Sequence, residues 1–135
     1  MLNPTKPVGE CSTQELLFAL MLQRGKVNLF NSEQVSEDLY THQDLWISFF
    51  LGPQVVEHAD YCRNGLFLIL RDINRQWHAD TLYVHCRDDE CVFPLMELGK
   101  SWQCDDLEVF DRKRVASLMG VYPSKLPPVL AFWWD

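Results

Sequence analysis

Positive charge is scarce in this sequence. It contains 12 lysine and arginine residues against 19 aspartate and glutamate residues, which gives a formal net charge of −7. Because an acidic surface repels nucleic-acid phosphates and anionic lipid headgroups, this balance argues against both kinds of partner. It favours a basic protein as the partner.

Long apolar runs are also missing. The longest ones, "ELLFALMLQ" and "LWISFFLG", are less than half of the roughly 18–20 residues that a membrane-spanning helix needs. The N-terminal stretch "MLNPTKPVGEC" lacks the charged region and the apolar region of a secretory signal. We therefore expect a cytoplasmic protein that has no association with a membrane.

The sequence lacks the common motifs of phosphate-binding loops, zinc proteases and serine hydrolases, and we expect no cofactor. Two groups of residues nevertheless leave open a small thiol- or zinc-dependent enzyme. His58 and Cys62 are four residues apart on a predicted helix, which places them on one face. The second group is His85, Cys86 and Cys91.

Apolar residues are plentiful, at 47% of the chain, and 13% of the residues are aromatic. With no internal repeat or linker, residues 1–135 are predicted to form a single globular domain. Helices are expected in the N-terminal half. The first begins at a capping box of Ser12 and Glu15 and ends at Gly25. A second is predicted over "HQDLWISFF" after Thr41, and a third over about 53–61.

The middle of the chain has the pattern of strands. The segments at about 66–71, 77–86 and 91–98 predict a central antiparallel β-meander, with Pro94 placing the third strand at an edge. "VNLF" and "LEVF" are predicted to be short extended pieces. A C-terminal helix is expected between Asp111 and Gly120, and a final extended segment in "PPVLAFWWD". This grouping of helices and strands predicts an α+β fold.

The heptapeptide "HCRDDEC" at 85–91 is predicted to be a tight charged turn that joins two strands. Its cysteines are close enough in sequence for a disulfide or for two zinc ligands, but a cytoplasmic chain favours reduced, packed thiols. Side chains alternate across a strand, so His85 should point to the face opposite Cys86. That arrangement disfavours a shared metal ion.

Acidic residues are concentrated in 86–111, where eight of them accompany only two basic residues. We expect these carboxylates to form one exposed patch that binds a basic protein, with an indole as its anchor. A charged surface that serves only solubility, with the indoles buried, is the alternative. The predicted partner-binding residues are Asp88, Asp89, Glu90, Asp105, Asp106, Glu108, Trp102 and Trp133.

Three segments in order, "DLWISFFLG", "NGLFLILRD" and "ADTLYVHCRDDECVFPLMEL", resemble the layout of small bacterial immunity proteins of contact-dependent growth inhibition systems. The resemblance covers about 44–98. It implies a cytoplasmic, non-enzymatic inhibitor that neutralises a cationic toxin or effector domain by covering its active cleft. A secretion chaperone or a phage-encoded anti-host protein would share the same acidic binding chemistry. The sequence does not predict the oligomeric state.

Overall fold

The computed structural model describes residues 3–54, 70, 73, 75, 79–122 and 126–135. Within them the fold has four α-helices and six strands, and the predicted α+β class is confirmed. The elements in chain order are α1 (Thr13–Arg24), β1 (Lys26–Val27), β2 (Phe30–Asn31), α2 (Ser32–Thr41), β3 (Trp46–Gly52), β4 (Thr81–Cys86), α3 (Val92–Lys100), β5 (Asp106–Phe110), α4 (Arg112–Met119) and β6 (Val129–Trp133). None of the described helices is long and apolar enough to cross a membrane.

Helix α1 begins and ends at the predicted residues. The Ser12 hydroxyl accepts a hydrogen bond from the Glu15 N–H at 3.2 Å, and the Glu15 carboxylate accepts the Ser12 N–H at 2.6 Å. Each side chain thus satisfies a backbone donor that the first turn of the helix leaves free. Gly25, with φ of +67°, follows the last helical residue. The capping box and the glycine stop are confirmed.

The C-terminal elements are also confirmed. Asp111 caps α4 by accepting the Arg114 N–H at 2.8 Å, and Gly120 ends the helix in the left-handed conformation. "LEVF" lies in β5, and the final extended segment contains β6.

A helix absent from the sequence prediction, α2, follows the short hairpin that β1 and β2 form over "VNLF". Asn31 accepts the Gln34 N–H at 3.4 Å and so serves as its N-cap. Val35 and Leu39, four residues apart, are both fully buried. This spacing is typical of a helix that packs one face on a core.

The main sheet has the strand order β3-β4-β6-β5, and every pair is antiparallel. Side chains alternate across it, so the sheet has two distinct faces. We call inner the face that packs against the core residues of α1, α2 and α3; it carries Phe49, Leu51, Leu82, Val84, Leu130 and Phe132. We call outer the opposite face, against which α4 packs; it carries Phe50, Tyr83, His85, Ala131, Trp133, Asp106, Glu108 and Phe110.

The helix predicted after Thr41 is wrong. Only a short 3-10 turn, Gln43–Leu45, precedes strand β3, which pairs with β4 from Trp46 to Gly52. The apolar residues fit helical spacing, but so short a run also fits a strand that has both faces covered. Long-range pairing with β4 decides between them.

The strand predicted at 91–98 is also wrong, because this segment forms helix α3. Pro94 occupies the third helical position, where the backbone N–H has no partner within the helix and the proline ring is tolerated. The neighbours of β4 are β3 and β6, so the predicted meander does not form. Of the predicted strand at 77–86, residues 81–86 are confirmed. Pro53 and Gln54, the first residues of the helix predicted at about 53–61, are not helical. The rest of that helix, nearly all of the strand at 66–71, and residues 77–78 lie outside the described residues.

Candidate protein-binding surface

The predicted acidic residues divide between the two ends of the sheet. Asp88, Asp89 and Glu90 follow the last residue of β4. Asp105 and Asp106 lie at the start of β5. Asp106 pairs with Trp133 of β6, which in turn pairs with Thr81, the first residue of β4. At about 3.3 Å per residue, the length of β4 separates the two groups by roughly 16 Å. The expectation of one acidic patch is wrong.

Of the three carboxylates after β4, one is paired with a cation of the protein itself. Asp88 Oδ1 accepts the Cys91 N–H at 3.0 Å. Asp89 forms a bidentate ion pair with the Arg112 guanidinium, with Nε at 2.9 Å from the carboxylate, and these hydrogen bonds lower the pKa of Asp89. Glu90 is exposed. Asp89 is thus neutralised within the protein, whereas Asp88 and Glu90 have no cationic partner among the described residues.

Among the described residues, the carboxylates at the start of β5 accept hydrogen bonds from backbone N–H groups. Asp105 Oδ2 accepts the Asp135 N–H at 2.9 Å, and Asp106 Oδ1 accepts the Leu107 N–H at 2.9 Å. Within the described part of the chain, no lysine or arginine lies within ion-pair distance of either residue. Their charge therefore remains available to a partner.

Glu108 shares the outer face with Asp106, two residues further along β5. Unlike Asp106, Glu108 has a described cationic partner, because Arg114 of α4 forms an ion pair with the Glu108 carboxylate. The same guanidinium lies 4.1 Å from the centre of the Phe110 ring. A basic partner would have to compete with Arg114 for Glu108.

The two predicted tryptophan anchors have different environments. Trp133 is half-buried on the outer face, between Asp106 and Thr81 on the neighbouring strands. Trp102 is only 2% exposed, donates its indole N–H to Asp38 Oδ2 at 2.7 Å, and packs edge-on against Phe132. Trp102 is thus a core residue, and its ring is not accessible to a partner in this structure.

The other tryptophans that the structure describes are buried as well. Trp46 is 6% exposed, and Trp134 is 4% exposed and donates its indole N–H to the Trp102 carbonyl at 3.1 Å. Trp133 is therefore the one described tryptophan with a ring at the surface. It adjoins Asp105 and Asp106, for which the structure describes no cationic partner.

The cysteines of "HCRDDEC" are buried and are not joined by a disulfide, and the segment connects strand β4 to helix α3 rather than to a second strand. Burial and the nearby Cys91 raise the pKa of Cys86 to about 11. Burial and Asp88 likewise raise the pKa of Cys91. A catalytic or zinc-binding cysteine needs the thiolate, so these shifts disfavour both roles.

His85 lies on the outer face, opposite Cys86, as the strand alternation predicts. It lines an apolar cavity of about 260 Å³ between the sheet and α4. Burial lowers the pKa of its imidazole, although the Pro127 carbonyl opposes the shift. The described ranges contain no cluster of three or more histidine, cysteine or acidic side chains that could hold a metal ion. His58 and Cys62 lie outside the described residues.

Comparisons of the chain with protein-family models, with curated proteins and with solved structures gave no match. Four residues of the predicted site come together near the start of β5, namely Asp105, Asp106, Glu108 and Trp133. We call them the acidic end of the sheet. The sequence could not indicate this grouping, because it depends on β6 lying between β4 and β5.

Proposed function

We propose that this chain is a non-enzymatic protein-binding module that binds a basic protein through the acidic end of the sheet. The observation that carries the proposal is the position of Asp105 and Asp106. Both residues are exposed, neither is neutralised by a described lysine or arginine, and Asp106 is the register partner of Trp133 on the neighbouring strand.

This combination suits a lysine or arginine side chain. A cation stacked on an exposed aromatic ring gains about 0.5–1 kcal/mol, and tryptophan is the best of the aromatic partners. The adjacent carboxylates attract the same cation, and the surplus negative charge of the chain accelerates its approach. Because salt screens exposed charges over about 8–10 Å, association should slow as the salt concentration rises.

The more specific form of the proposal is a cytoplasmic immunity or inhibitor protein that neutralises a cationic toxin by covering its active cleft. Its support is the sequence resemblance over about 44–98, together with the acidic end of the sheet. A secretion chaperone or a phage-encoded anti-host protein would use the same surface on a different client. The identity of the captured protein distinguishes them.

The test uses the whole chain as bait in a native lysate, with three forms compared. The double variant Asp105→Asn/Asp106→Asn removes two charges from the acidic end. The control, Glu33→Gln/Glu37→Gln, removes two charges from exposed positions on α2. The proposal predicts one basic protein that is retained by the wild type and the control, lost by the double variant, and released as salt is raised. Equal retention by both variants, or retention that is indifferent to salt, would overturn it.

A further inference from the structure

The two edge strands of the main sheet differ in how their backbones are protected. On β3, the side chain of Gln14 pairs with the backbone of Phe49 much as a neighbouring strand would. Its amide Nε2 donates to the Phe49 carbonyl at 3.1 Å, and its Oε1 accepts the Phe49 N–H at 3.1 Å. A side chain from α1 thus occupies this edge, a form of protection that proteins need because unpaired edges recruit other strands.

The opposite edge, β5, has less protection. Trp134 donates its N–H to the Asp80 carbonyl, towards β4, so the adjacent Trp133 directs its backbone groups towards β5, where Asp106 is its partner. Backbone groups alternate in direction along a strand, and the Leu107 N–H is accepted by the Asp106 side chain rather than by β6. Leu107 therefore directs its N–H away from β6. Because backbone groups two residues apart point the same way, Val109 also directs its N–H and carbonyl away from the sheet. The Val109 side chain is 41% exposed.

Helix α3 lies beside this edge, with which no other described strand pairs. An opening of about 330 Å³ separates Met96, Gly99 and Lys100 of α3 from residues 104–107 at the start of β5. Asp89, just before α3, binds Arg112, just after β5, which fixes the other ends of the two elements together. The helix and the strand therefore run in opposite directions along one groove. Phe93, on the same side of α3 as Met96, is 67% exposed.

We propose that an extended segment of a basic partner adds to the sheet as a strand along β5. In such a strand, alternate side chains would lie next to Asp106 and Glu108 on the outer face, where lysine or arginine fits. The intervening side chains would lie next to Leu107 and Val109 on the inner side, where apolar residues fit. This inference rests on the proposed function and specifies how the partner binds.

A second copy of this chain is a poor occupant of the same edge. Two antiparallel β5 strands related by two-fold symmetry would bring the outer-face carboxylates Asp106 and Glu108 against each other. Like charges opposite one another destabilise a strand pair. Arg114 offsets the charge of Glu108, so it is the charge of Asp106 that favours a basic strand over self-association.

The experiment measures binding of a fluorescent seven-residue peptide of alternating lysine and valine to the whole chain, by anisotropy at low salt. The matched peptide carries backbone N-methyl groups on the central residue and its neighbour. These two residues direct their N–H groups to opposite edges of a strand, so methylation removes a hydrogen-bond donor from each edge without changing charge or sequence. The proposal predicts that N-methylation weakens binding by about tenfold or more.

Two variants of the protein complement the peptides. Val109→Pro removes the outward N–H without removing a bond to β6, since proline is tolerated in edge strands. Val109→Thr keeps the N–H. We expect about tenfold weaker peptide binding for the proline variant and little change for threonine. If the proline variant fails to fold, the comparison of the two peptides still decides the matter.

The outcomes separate this inference from the proposed function. Equal binding of both peptides, with loss in Asp105→Asn/Asp106→Asn, would refute strand addition and leave the acidic end as the binding surface. Absence of binding by the unmethylated peptide would also refute strand addition. A dimer of the chain alone in sedimentation, abolished by Val109→Pro, would assign the edge to a second copy and overturn the proposal.

Discussion

Replacing Gly99 with alanine should destabilise the protein, although alanine is the better helix former. Gly99 is buried in α3 against the ring of Phe132. A Cβ at this position would overlap Cε1 of that ring and would lie 2.9 Å from both Cδ1 and Cζ. The ring cannot easily move, because Phe132 is fully buried and packs edge-on against Trp102, with ring centroids 4.9 Å apart.

The two opposing effects can be compared. Alanine in place of glycine stabilises a helix interior by about 1 kcal/mol. Overpacking a core lowers the free energy of unfolding by about 1–3 kcal/mol. Because the added Cβ would overlap a ring that cannot easily move, Gly99→Ala should lie near the upper value. The net loss is then about 2 kcal/mol. For a chain of this length it lowers the melting temperature by about 7 °C, from an unfolding entropy of about 2.1 cal/mol/K per residue.

Thermal and urea unfolding followed by circular dichroism would measure this loss. Gly9→Ala is the matched control, because nothing lies within 4 Å of a Cβ at Gly9, and its effect should stay within about 0.5 kcal/mol. In a Phe132→Leu background the smaller side chain should relieve the overlap, so Gly99→Ala should cost less there. If Gly99→Ala is as stable as the wild type, the packing of α3 on β6 described here is wrong.

Four further predictions concern single groups. Trp102→Phe removes the indole N–H that binds Asp38 and should lower the free energy of unfolding by roughly 1–3 kcal/mol in urea titrations. The Ser12 N–H and Lys6 lower the pKa of Glu15 from 4.5 to about 2. Ionised Glu15 therefore stabilises the fold above pH 4.5, and this stabilisation is lost as the pH falls towards 2. The loss of stability at low pH should be smaller in Glu15→Gln. Burial lowers the pKa of His85, so at acidic pH the unfolded chain binds more protons than the folded protein. The free energy of unfolding should therefore fall as the pH drops below about 6.5. This decrease should be smaller in His85→Gln. Cys86, whose pKa is raised to about 11, should resist iodoacetamide at pH 7.5 until the protein unfolds, and rapid labelling of the folded protein would contradict its burial.

Local signals in the sequence predicted several elements correctly. The capping box of Ser12 and Glu15 and the glycine at Gly25 depend on residues three to thirteen positions apart, so the sequence contains all the information needed. The same is true of Asp111 and Gly120 around α4. The cap of α2 at Asn31 is a signal of this kind that the prediction overlooked.

The errors fall where distant parts of the chain decide the structure. "LWISFF" has apolar residues at helical spacing, yet residues 46–50 lie in a strand because β4 offers partners to all of these residues except Ile47. In 91–98, Pro94 is compatible with an edge strand and with the first turn of a helix. Neither choice could be made from the local pattern alone.

The candidate site illustrates the same limit. The sequence predicted acidic residues near an indole, and the structure places Asp106 beside Trp133 through pairing of strands more than 20 residues apart. It also separates Asp88 from Asp105, which are close in sequence, by the length of β4. Trp102 adjoins the acidic segment in sequence but lies in the core.

Amide hydrogen exchange at Val109 tests the central claim most directly. In the free protein its N–H points away from the sheet and should exchange quickly. Saturation with the lysine–valine peptide, or with the basic protein that the chain captures, should protect this amide strongly and leave exchange in α1 unchanged. Unchanged exchange at Val109 in a saturated complex would show that the partner does not pair with β5.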